Sequence, residues 1–422
     1  MNASRAPKEP WFCFEQPDRG GAAVAGLGAV RVLEAGGPGR FAAVSRAWQE
    51  LSGSALTDGS AAVPGSGLIA VGGFAFAPDG GGSPRWRGFP AASLIVPEVS
   101  LARRDGETWL TLNLDCAPDD TVEGLMSRAL GRLSGLRSGG LPMLDPAPSG
   151  RYQVVSAMPP AHYEQAVVRG VQRICDGEVE KLILAREVEV HAPRAHDAPA
   201  VLGLLRQAFP SCYTFAVGRG DATFVAASPE LLIRREGQRA STVALAGSIR
   251  RSADPAVDDH LGEQLLGSVK DREENAIVVR RIVQTLRPHS VWVNAGDPGL
   301  VRVANIQHLG AAIRAQLRSP IDAVGLAGML HPTPAVGGEP SRVALDLIPA
   351  LEGLDRGWYA GPVGWTDSIG DGEFCVALRC ALLRDRLATC YAGSGIVRDS
   401  DPASELAETE VKLQAMLPLL VG

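Results

Sequence analysis

The chain has 422 residues, 45% of them hydrophobic and 21% charged, a formal net charge of -6 and no lysine- or arginine-rich run. That balance suits a globular protein with a sizeable core and argues against nucleic acid or an anionic membrane as a general partner. It contains no run of 18 uninterrupted apolar residues, so no membrane span is predicted, and Met1–Lys8 lacks the apolar core of a signal peptide. The seven cysteines (Cys13, Cys116, Cys175, Cys212, Cys375, Cys380, Cys390) are scattered without a CxxC, which points to reduced, mostly buried thiols in a cytoplasmic protein.

Residues 1 to about 145 read as scaffold, with strands at Gly67–Phe76, Ser93–Pro97 and Trp109–Leu114 and a short helix at Ala42–Leu51. The turn-rich Gly139–Gly150 marks a boundary or linker. Pro160–Cys175 has helical periodicity through Tyr163, Val167, Val171 and Ile174, with Gly177 as its stop. Val179–Val190 is β-rich and carries Lys181 near its start. Such a lysine is either a solvated strand end or, partly buried, a base of lowered pKa. A helix at Pro199–Phe209 precedes a hairpin of Tyr213–Val217 and Thr223–Ala227, with Glu230 just beyond it. Ala244–Ser248 reads as a small-residue turn, either merely tight or open to a ligand.

Val257–Leu286 reads as one long helical stretch in which Asp271 and Glu274, at i and i+3, share a face. Gln307–Gly310 is expected to end a strand, and His331–Gly338 to be a turn. The histidines lack metal-ligand spacing, which argues against zinc. Trp358–Trp365 and Phe374–Leu383 read as two strands around Asp367–Gly372. Arg379 would sit inside the second and must be paired or bind an anion. Tyr391–Lys412 reads as strand, Gly-Ser-Gly turn and helix, capped by Asp401 with Pro402 at the first helical position. Glu405, Glu408 and Lys412 then share a face. It is either a solvated one with a Glu408–Lys412 pair or one that holds a metal and an anion together. Two acidic i,i+3 pairs on two helices would suit Mg²⁺, which takes one or two carboxylates plus substrate oxygen and water.

Nine motifs in order resemble the chorismate-utilising enzymes: isochorismate synthases, salicylate synthases and the large subunits of anthranilate and aminodeoxychorismate synthases. They are Lys181–Arg186, Ser228-Pro-Glu230, Leu245–Ser248, Lys270–Glu274, Gln307–Leu309, His331–Gly338, Arg356–Gly361, Gly393–Val397 and Glu405–Thr409, within residues 155 to 420. The resemblance implies a single α/β (α+β) domain with two large, mainly antiparallel sheets flanked by helices. In it residues 1–145 would be a scaffold part and 150–422 the chorismate-binding core. It implies Mg²⁺ on Glu274 and Glu408, with Asp271 and Glu405 nearby. Tyr359, Arg379, Gly393, Gly395 and Lys412 would hold the substrate carboxylates, Gly247 and Ser248 would line the pocket, and His308 would sit beside it.

In the water-using branch a lysine like Lys181 activates water, and a glutamate like Glu230 protonates the leaving hydroxyl. The ammonia-using branch generally lacks that lysine, and the aminodeoxychorismate enzymes often carry one where this chain has Ala244. The resemblance therefore implies isochorismate synthase, with chorismate as substrate and no obligatory glutaminase subunit. Salicylate synthase, which goes on to eliminate pyruvate, is the nearest alternative; an ammonia-using synthase and a non-catalytic chorismate-binding paralogue are further ones. The resemblance leaves siderophore and menaquinone synthesis both open. One departure is Asn275, where the family usually has a histidine after the metal glutamate; asparagine hydrogen-bonds but cannot carry a proton.

Overall fold

The computed structural model describes residues 2–58, 63–144 and 150–421. Two large antiparallel sheets form the frame. The first runs Gly338–Glu339, Lys181–His191, Leu387–Ile396, Cys380–Arg384, Ala222–Ser228, Tyr213–Arg219, Trp11–Gln16, Ala22–Leu27, Val99–Arg104 and Glu107–Leu112, with Gln153–Ser156 also on the Lys181–His191 strand. The second runs Ser290–Ala295, Ile306–Leu317, Arg239–Arg250, Leu231–Glu236, Gly372–Val376, Pro362–Asp367, Ile69–Phe74, Ala92–Val96 and Arg31–Ala35, with Gly299–Arg302 also on Ile306–Leu317. Strands from before residue 145 and after residue 150 share both sheets. Residues 145–149 of the expected boundary lie outside the described residues.

Alternation of apolar side chains explains the packing. Phe12, Phe14, Phe215 and Phe224 of the first sheet join Ile69, Val71, Phe74, Ile233 and Phe374 of the second in one large apolar cluster. The other face of the first sheet, through Trp11, Val188, Val190 and Val225, is covered by Val201, Leu202 and Leu205 of the helix Ala198–Ala208 and by Leu413, Met416 and Leu420 near the C-terminus. Cys212, Cys375, Cys380 and Cys390 are buried, while Cys116 and Cys175 are exposed. Among the described residues no helix is long and apolar enough to cross a membrane.

Five local expectations need correction. The Gly393-Ser-Gly395 segment is not a turn: it lies inside Leu387–Ile396, paired residue by residue with Ala185, Leu184 and Ile183. Ala244–Ser248 likewise belongs to the strand Arg239–Arg250, whose register against Ile306–Leu317 shifts between Ala246 and Ser248, with Gly247 at φ +78°. The long helical stretch is two helices, Pro255–Gly267 and Val269–Leu286, because the Ser268 side chain caps the second by accepting from the Asp271 N–H. Gln307–Gly310 begins its strand instead of ending it.

The fifth correction positions the site. The apolar run Phe374–Leu383 is two strands in two different sheets, and Arg379 sits on the crossing between them at φ +48°. A second crossing, through Pro229 and Glu230, links Ala222–Ser228 to Leu231–Glu236. The two crossings are bonded side by side: Val376 N donates to Glu230 O at 3.0 Å, and Ala227 N to Arg379 O at 3.1 Å.

Candidate active site

One pocket opens beside these crossings. Of the fourteen residues singled out from sequence, twelve line it: Glu230, Gly247, Ser248, Asp271, Glu274, His308, Tyr359, Arg379, Gly393, Gly395, Glu408 and Lys412. Lys181 and Glu405 lie just behind the lining. Lys181 is fully buried, with Nζ 2.8 Å from Glu274 Oε1. Glu405 is 3% exposed, accepts from Ser400 Oγ at 2.7 Å and stands 3.6 Å from Lys270 Nζ.

The acidic wall comes from two helices. Val269–Leu286 presents Asp271 and Glu274, and Pro402–Leu413, capped by Asp401 through the Ser404 N–H, presents Glu408. Gly395 makes this approach possible, because a Cβ there would stand 2.4 Å from Glu274 Oε1. Burial pushes Glu274 up, but Lys181, Lys412 and Lys270 outweigh it and hold the carboxyl below its ordinary value. Asp271 is raised by burial and by the charges of Glu274 and Glu408 across the pocket, and Ser268 Oγ donates to it. Glu408 Oε1 takes Lys412 Nζ at 2.7 Å and Ser248 Oγ at 3.1 Å, while Lys412 Nζ also donates to Gly393 O at 2.8 Å.

The opposite wall is cationic and aromatic. Arg379 Nη2 donates to His308 Nε2 at 2.6 Å, and His308 Nδ1 faces Gly247 O at 3.3 Å, so the histidine carries its proton on Nδ1. Burial, with Arg379 and Lys412 alongside, holds His308 well below its usual range and therefore neutral. Arg379 Nη1 is buried with no oxygen acceptor among the described residues, beside the Cys212 thiol. A buried guanidinium N–H left open in this way is a ready partner for an anion. Tyr359 stacks on Tyr391, ring centroids 5.3 Å apart.

Glu230 is 4% exposed. Burial pushes its carboxyl up to about 8, against the pull of Lys181, Arg379 and Lys412, so at neutral pH it keeps its proton. Asn275 does not line the pocket. It is fully buried and donates to Ala244 O at 3.0 Å and Leu309 O at 3.2 Å, fastening its helix to two strands of the second sheet. Sequence reasoning assigned no role to the apolar lining, Ile183, Leu245, Val336 and Leu378, or to Lys270 at the rim. Ile183, Leu245, Val336 and Lys270 stand inside motifs already quoted, so the signal was their neighbours.

An anion anchor, an acid, paired carboxylates and, just behind them, a buried lysine gather at one pocket beside the two crossings. The model of the chorismate binding enzyme family matches residues 1–421, and the chain belongs to that family. It is 38% identical over 410 residues to the salicylate biosynthesis isochorismate synthase of Pseudomonas aeruginosa, covering 96% of this chain and 84% of that protein. It is 34% identical over 361 residues to isochorismate synthase MenF of Bacillus subtilis, covering 84% and 75%. Among solved structures, MenF, the menaquinone-specific isochorismate synthase of Escherichia coli, superposes with a TM-score of 0.82 at 27% identity, covering 99% of this chain and 90% of that one.

Proposed function

We propose that this chain is an isochorismate synthase, converting chorismate to isochorismate with the side chains of this pocket. The observation that carries the reading is the pairing of a fully buried Lys181, in contact with a pocket carboxylate, with a buried Glu230 that keeps its proton. Relatives bearing that activity in their names support it at 34–38% identity. The substrate carboxylates dock against Arg379, Lys412 and the Gly393–Gly395 backbone. Lys181, in its neutral form, takes a proton from the water that attacks C2 of the ring. Glu230 gives its proton to the hydroxyl leaving C4, and the double bonds shift between. One C–O bond forms as a similar one breaks, so the reaction is freely reversible. Ala244, buried in its strand, offers no amine to an ammonia-using chemistry.

Mg²⁺ fits the acidic wall. The Asp271 carboxyl is raised by burial and by the charges of Glu274 and Glu408, which a hard cation would relieve. Among the described residues no group of three or more metal-ligating side chains is close enough to hold an ion by itself. In this reading a Mg²⁺ would be held by Glu274 and Glu408 and completed by substrate and water. When bound it would neutralise a substrate carboxylate and fix the ring's orientation.

The test is incubation of the purified protein with chorismate and Mg²⁺, with and without EDTA, followed by separation of products. Isochorismate alone, lost with EDTA, is expected. Salicylate with pyruvate would make the enzyme bifunctional, and chorismate binding without conversion would overturn the reading.

A further inference from the structure

We infer that Glu352 and Arg356 form a positioning pair that stands in for a missing strand and sets where Lys181 sits against the pocket. The inference rests on the role proposed for Lys181.

The strand Lys181–His191 is paired on one edge with Leu387–Ile396 only from Leu182 onward, so Lys181 lies beyond that ladder. On the other edge, Gly338–Glu339 covers Lys181 and Leu182, and Gln153–Ser156 covers Val188–His191. Between these covers no strand pairs with that edge among the described residues. Buried backbone groups left there would be costly, so something must satisfy them. Side chains do. Glu352 Oε1 accepts from Ala185 N at 2.7 Å, and Arg356 Nη2 donates to Ile183 O at 2.9 Å.

The pair is closed on itself and reaches further. Arg356 Nε donates to Glu352 Oε2 at 2.9 Å, and Nη2 also contacts Oε1. Arg356 Nη1 donates to Val336 O at 2.8 Å, and its guanidinium lies 4.2 Å over the Phe76 ring. Glu352 is 3% and Arg356 4% exposed. Ile183 and Val336 both line the pocket, and the same guanidinium holds both of their carbonyls. One guanidinium therefore fixes two lining residues and, two residues along the strand, the lysine. Neither residue of the pair lines the pocket, so substrate anchoring by Arg379 and Lys412 is left intact.

The variants are Glu352→Ala, Glu352→Gln and Arg356→Lys, measured for kcat, chorismate KM and Tm. The control is Val44→Ala, at a buried position on the remote helix Arg40–Ser54. A shift of the reacting group by about 1 Å costs on the order of 10²-fold in rate, so Glu352→Ala and Arg356→Lys are expected to lower kcat by roughly that factor. KM should stay within about threefold, because the lost interaction is felt only in the transition state. Glu352→Gln should lose less than Glu352→Ala, because its amide oxygen still accepts from Ala185 N. Val44→Ala should lower Tm yet keep its kcat. If Glu352→Ala does not fold, Glu352→Gln and Arg356→Lys carry the comparison. Retention of kcat in these variants beside a dead Lys181→Ala overturns the inference alone, and so does a kcat loss no greater than that of Val44→Ala at equal Tm. Full turnover by Lys181→Ala overturns the reading on which it rests.

Discussion

Two buried ion pairs meet the same strand within five residues, and they are built differently. In the Glu352–Arg356 pair both members bond to each other, and the spare donors and acceptors go to Ala185, Ile183 and Val336. In the Lys181–Glu274 pair the nitrogen and oxygen stand 2.8 Å apart, yet Lys181 Nζ makes no hydrogen bond of good geometry. Taking charges out of water is repaid only when geometry and further hydrogen bonds satisfy them. The saturated pair holds a structure. The unsaturated pair keeps groups available, which is what chemistry needs.

Each half of that contrast can be broken separately. Lys181→Ala should lower kcat by ~10²–10⁴-fold, the usual worth of a positioned acid or base, while chorismate still binds; a direct binding titration beside the rate assay checks both. Glu230→Gln should cost a similar ~10²–10⁴-fold. In the native enzyme the rate should fall as pH rises through about 8, because the raised carboxyl then loses the proton it must donate. The sign for stability is the same. A carboxyl whose folded value lies above its unfolded one favours the folded state at low pH, and that stability is lost as pH rises towards about 8. In Glu230→Gln both losses should vanish.

Arg356→Ala leaves the buried Glu352 carboxyl without its partner, and urea unfolding should register a loss of ~3–5 kcal/mol. Gly395→Ala places a methyl group 2.4 Å from Glu274 Oε1, so the carboxylate must turn aside. We expect a rate loss on the order of 10²-fold, from a displacement of about that scale, and, if Glu274 holds the proposed Mg²⁺, a higher Mg²⁺ concentration for half-maximal rate. At the small end stands Glu180, next to Lys181 in sequence. Its pair with Arg280 is half exposed at 2.9 Å, so Glu180→Gln should cost less than ~1 kcal/mol and leave turnover alone.

The fold class and the site's membership were legible because the motifs carry both. What the sequence hid was where small residues sit. Gly393, Gly395 and Gly247 resemble turn punctuation, but they lie in strands, where a missing Cβ admits a carboxylate or permits a bulge. Lys181 reads as a solvated strand end because nothing local says that the helix Val269–Leu286 will bury it. Phe374–Leu383 reads as one strand because an apolar run carries no mark of the sheet to which each half belongs. Asn275 reads as a change at the site, yet its side chain faces the backbone of the second sheet. Glu352 carries no sequence signal at all, since its partner on the strand is a main-chain amide.

The two side-by-side crossings also decide how two of the pocket's side chains are held relative to each other. Glu230 and Arg379 ride on segments hydrogen-bonded to each other, and each segment is continuous with a strand in both sheets. The two crossings thus tie the sheets together at the pocket. The backbones that carry Glu230 and Arg379 are therefore one hydrogen-bonded unit, and the spacing between these two pocket residues is set by the frame itself.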